Sequence, residues 1–92
     1  MDINDYAIFV IGNIKKAKLG NILNITDKVI ENYNAKDFIV ALYKVLLGMN
    51  NCNKKVVDSI NQAFNSLEKS GNLNTSMILD KMIISIWEAY NE

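Results

Sequence analysis

The chain has 92 residues, about half of them hydrophobic, enough for the core of one domain. Ten lysines balance ten acids, and arginine and histidine are absent. This excludes an imidazole base, a Ser–His or Cys–His nucleophile and an arginine clamp on phosphate, and it argues against direct contact with nucleic acid, whose binding draws on a basic excess.

There is no proline and only four glycines, so tight turns are scarce and long helices are favoured. Asn4 or Asp5 is expected to cap a first short helix that carries Tyr6, Ile8, Phe9 and Val10 and ends at Ile11. Gly12-Asn13 reads as a turn. A second helix starts near Ile14, with Ala17, Ile22, Ile25, Val29 and Ile30 at loosely helical spacing. Thr26-Asp27 could restart it as a separate piece.

Asn34 and Asp37 resemble a capping box and open a third helix over Ala35 to Leu47. Phe38, Leu42, Val45, Leu46 and Met49 share one face of it, and Gly48 suits the residue just past its end. Met49 to Asn53 is expected to be a loop, with Asn53 capping a fourth helix from Lys54 to Lys69. Val56, Val57, Ile60, Ala63, Phe64 and Leu67 form its stripe, and Gly71 is placed to end it in a left-handed conformation.

Asn74 is expected to cap a fifth helix, Thr75 to Tyr90. Met77, Ile78, Leu79, Met82, Ile83, Ile84, Ile86 and Trp87 cover most of its circumference. Such a helix is either central in the core or holds one face against a partner. Ile78, Met82, Ile86 and Trp87 are expected to pack on Phe64, Leu67 and Phe38. Leu79, Ile83 and Tyr90, with Trp87 adjoining, then form the candidate protein interface. The competing reading has the helix wrapped on all sides, with Trp87 and Tyr90 closing the core. The expectation is therefore an all-α, compact bundle of four to five helices over residues 1–92.

The side chains that carry chemistry are sparse. Cys52 is the only cysteine, so neither an intramolecular disulfide nor a zinc site is expected; it reads as a loop or partly buried thiol. No phosphate-binding glycine motif occurs. Lys15, Lys16 and Lys18 could hold an anion or simply face solvent. Neither a cofactor nor catalysis is expected. No apolar run approaches a membrane span and the N-terminus lacks a signal peptide's basic flank, which points to the cytoplasm.

The segment from Leu67 to Ile86 resembles the C-terminal end of bacterial clamp-loader subunits and is most similar to the delta-prime family of DNA polymerase III. Small subunits of replication factor C share the general pattern. In that family a helix is followed by Asn-x-Asn, an aliphatic trio, an acid and further aliphatics. Here these are Asn72 and Asn74, Met77-Ile78-Leu79, Asp80 and Met82-Ile83-Ile84, with Val56 to Leu67 matching the preceding helix. Many members carry proline where Thr75 stands, and the AAA+-like portion of a whole subunit is missing. The chain would be an excised domain or a stand-alone relative.

The resemblance implies a clamp-loader collar-like domain whose partners are other protein subunits and which touches neither nucleotide nor DNA. The rival expectation is a stand-alone helical binder, such as a bacteriocin immunity protein or a phage-encoded inhibitor.

Overall fold

The computed structural model describes residues 1–16, 18–22, 24–49, 53–70 and 74–91. The helices are α1 (Ile3–Lys16), α2 (Leu19–Ile22), α3 (Asn24–Asn32), α4 (Ala35–Gly48), α5 (Lys54–Ser70) and α6 (Thr75–Tyr90). α2 is a single turn, so the protein is an all-α bundle of five helices of substantial length, with no strand among the described residues.

α1 starts two residues earlier than expected and ends later. Asp2, not Asn4 or Asp5, is its cap: the Asp2 carboxylate accepts the amides of Asn4 at 2.6 Å and Asp5 at 3.4 Å. The helix then runs through Gly12-Asn13 without turning. A glycine within a helix costs about 1 kcal/mol. Ile14, fully buried, continues the face formed by Ala7, Val10 and Ile11, and burying a side chain of that size contributes about 1.5–3 kcal/mol. Burial therefore outweighs the local turn signal.

The following region does divide, but the restart falls at Asn24 rather than Thr26. Ile22, Ile25 and Val29 enter the core, and Ile30 stays exposed. Thr26 is buried with them, and its hydroxyl has no hydrogen-bond partner among the described residues.

α4 and α5 follow their sequence patterns closely. Asn34 accepts the Asp37 amide at 3.1 Å, and Asn53 accepts that of Lys55 at 2.8 Å. Phe38, Leu42 and Leu46 are buried on α4, with Val45 and Met49 packed at the edge. Val56, Ile60, Ala63 and Leu67 are buried on α5. One ion pair, Lys36 to Glu68 at 3.3 Å, bridges the two helices at the surface, where such a pair contributes about 1 kcal/mol or less. Gly48 is the last helical residue rather than a left-handed terminator, and the chain leaves α4 through Met49 in an extended conformation, φ −93° and ψ 136°.

α6 packs against α1, α2, α3 and α5, which makes it the central helix. Leu79, Met82, Ile83 and Ile86 are all buried. The flank of this helix expected to stay open is therefore largely covered at Leu79 and Ile83, and the apolar side chain it does expose is Met77, 69% exposed. Asn74 also differs from expectation. It adopts the left-handed conformation, φ 61° and ψ 25°, and its side chain makes no cap hydrogen bond. A capping side chain reaches the second or third amide of its helix from an extended backbone, and the left-handed conformation removes that geometry. Gly71, Asn72 and Cys52 lie outside the described residues.

Candidate interaction surface

Of the four residues expected to form an interface, two are buried and two are partly open. Leu79 (0% exposed) and Ile83 (1%) belong to the core. Trp87 and Tyr90 are half-buried at its edge. The Lys15 ammonium lies 5.0 Å from the centre of the Tyr90 ring, so Tyr90 holds the last turn of α1 against the end of α6 through its ring face. Lys15, Lys16 and Lys18 are all exposed.

Besides Met1, Ile30 and Met77, the uncovered large apolar side chains lie on α1 and α4. Ile8 is 58% exposed, Phe9 49%, Val40 38% and Leu47 60%. The two helices pack directly on each other and run in the same direction. At one end the Tyr6 ring meets that of Phe38, with centroids 5.8 Å apart. At the other, a shallow groove has Ile8, Ile11, Gly12 and Lys15 on its α1 wall. Lys44, Val45, Gly48 and Met49 form its α4 wall. Polar groups are few in it: two lysines at the rim and exposed helix backbone at the glycines. A Cβ built on Gly12 or Gly48 would meet nothing within 4 Å, so packing within the chain does not require a glycine at either place.

The sequence carried a signal for this surface. Val40 and Leu47 are seven residues apart, two helical turns, and both fall off the stripe of Phe38, Leu42, Val45 and Leu46. Ile8 stands off the face of Ala7, Val10, Ile11 and Ile14 in the same way. Apolar residues outside an otherwise complete stripe mark what the core leaves over.

The arrangement offers little to chemistry. Among the described residues no group of three or more His, Cys, Asp or Glu side chains could hold a metal ion, and no helix is long and apolar enough to cross a membrane. Among the described residues the one perturbed side chain is Tyr6. Burial raises its pKa above the ordinary value of 10.0, and the charge of nearby Tyr33 adds to the shift. Its ring stacks between Tyr33 and Phe9, a packing role. Compared with known protein families, curated proteins and solved structures, the chain matches none.

Proposed function

We propose that this chain is a non-catalytic association domain, which works by packing a helical face against other protein subunits. The observation that carries this reading is the exposed apolar surface of Ile8, Val40 and Leu47 on two adjacent helices. Leaving such side chains in water forgoes about 25 cal/mol for each Å² of apolar surface that a partner would cover.

In its specific form the domain is a clamp-loader collar-like subunit of the DNA polymerase III kind, acting in DNA replication. That form rests on the pattern from Leu67 to Ile86, and it is supported by the extensive packing of α5 on α6, the pair of helices that carries the pattern. Size-exclusion chromatography with purified clamp-loader ATPase subunits from the same cell tests it. The expected result is stoichiometric co-elution, with ATP and DNA leaving the melting temperature of the isolated chain unchanged. Elution apart from every such subunit would remove the clamp-loader form. A saturable thermal shift with ATP would contradict the non-catalytic reading.

A further inference from the structure

The α1/α4 face carries its charges in two groups. The helices run side by side in one direction, and each opens on an acid, Asp5 on α1 and Asp37 on α4. Lys15 lies about 15 Å further along α1, and Lys44 about 10 Å further along α4, at 1.5 Å per residue. All four are exposed. Between the two charged ends lie Ile8, Gly12 and Val40. Lys36, beside Asp37, is bound to Glu68 of α5 and so belongs to the other side of α4. Asp5, Asp37 and Lys44 form no ion pair among the described residues, and the Lys15 ammonium lies over the Tyr90 ring.

A face that is acidic at one end, apolar in the middle and basic at the other is complementary to itself after half a turn. Rotation about an axis that lies in the interface, perpendicular to the helices, lays α1 and α4 antiparallel to their copies. Asp5 and Asp37 then face the end that carries Lys15 and Lys44, twice over, and the apolar centres meet. This is the condition for an isologous two-fold contact. A uniformly anionic partner, whether an acidic peptide, nucleic acid or a membrane surface, would meet the lysine end favourably and be repelled at the acidic end.

We propose that the α1/α4 face binds a second copy of this chain in an antiparallel two-fold pair. The proposal rests on reading the chain as an association domain, and it adds the surface and its occupant. Two helices of 14 residues, each about 21 Å long and about 10 Å wide, offer roughly 400 Å² per copy. That is about half of what a stable interface buries on each side. The pair is therefore weak and reversible, with a dissociation constant on the order of 100 µM.

Sedimentation equilibrium of the full chain from about 10 µM to about 1 mM reads this directly, since the range brackets that constant. The wild type should pass from monomer to dimer and no further. K15E/K44E places acids at both ends of the face, and D5K/D37K places lysines at both ends. Each variant alone should remain monomeric with unchanged helical circular dichroism. An equimolar mixture of the two should associate more tightly than the wild type, and about 0.5 M salt should weaken that association. A monomeric wild type at about 1 mM, a charge variant that pairs as well as the wild type, or a mixture that stays monomeric would each overturn the proposal. A monomeric wild type that still joins clamp-loader subunits would leave the association domain standing without this pairing.

Discussion

The ring of Tyr6 stacks on that of Tyr33 with centroids 5.2 Å apart and planes 26° from parallel. Tyr33 in turn donates its hydroxyl hydrogen to the Met1 carbonyl at 2.6 Å. The N-terminus and the first turn of α1 are thereby fixed to the chain just beyond α3, about thirty residues away, and α4 follows at once with Phe38 against the Tyr6 ring. This aromatic group sets the starts of α1 and α4 side by side, so that their first-turn acids, Asp5 and Asp37, stand at the same end of the pair.

Burial of Tyr6 links that group to pH. Its pKa is raised in the folded state by desolvation and by Tyr33, so the folded protein keeps the proton where the unfolded chain has lost it. The stability this provides is complete below pH about 10, the value in the unfolded chain. It is lost as pH climbs from there through the folded value. Urea midpoints between pH 8 and 11 should fall more steeply for the wild type than for Tyr6→Phe, which has no proton to lose at this position. Equal slopes would mean that the hydroxyl is solvated in the folded protein.

Asn74 provides a test of backbone conformation against capping. In the left-handed conformation an ordinary side chain costs about 1–2 kcal/mol, asparagine less and glycine almost nothing. Asn74→Gly should therefore hold or raise the melting temperature, and Asn74→Ser should lower stability by about 1 kcal/mol although serine is a good capping residue. A neutral serine variant with a destabilised glycine variant would restore the capping role.

How much of this could be read from the sequence depended on whether local and tertiary signals agreed. On α4 and α5 they agree: an unbroken helical stripe sits between capping asparagines at Asn34 and Asn53, and both helices were delimited within a residue or two. On α1 they conflict, because Gly12-Asn13 is a turn signal and Ile14 is a core residue, and only the packed structure shows that burial prevails. For α6 the composition says that the helix is apolar on most sides. It does not say how many neighbours use those sides, and that number decides whether Ile83 is core or interface. The α1/α4 surface was half legible: Ile8, Val40 and Leu47 stand off their stripes, but the sequence does not say which neighbouring helices leave those side chains uncovered.

The central position of α6 makes a strong prediction for Leu79 and Ile83. Leu79→Ala should cost about 2–5 kcal/mol, the usual range for a cavity of that size in a core. Ile83→Asp should unfold the chain, because a carboxylate at a site 1% exposed would be buried without a partner. Denaturant unfolding followed by circular dichroism measures both. A folded Ile83→Asp with near-wild-type stability would return this residue to the surface and contradict the packing described for α6.

Gly12 allows the opposite experiment, in which a substitution should stabilise. The residue lies inside α1 and is exposed. A Cβ added to it would meet nothing within 4 Å. Glycine in a helix interior is less favourable than alanine by about 0.5–1 kcal/mol, because it loses more backbone freedom on folding. Gly12→Ala narrows the unfolded ensemble without a clash in the folded state, so the dilute monomer should gain about 0.5–1 kcal/mol in urea unfolding. The gain belongs to the folding equilibrium of the monomer, so it should be read at low micromolar concentration, well below the pairing constant proposed for the α1/α4 face. A loss of stability there would mean that α1 bends or turns at Gly12, as the Gly-Asn sequence on its own suggests, and that Ile14 reaches the core by another path.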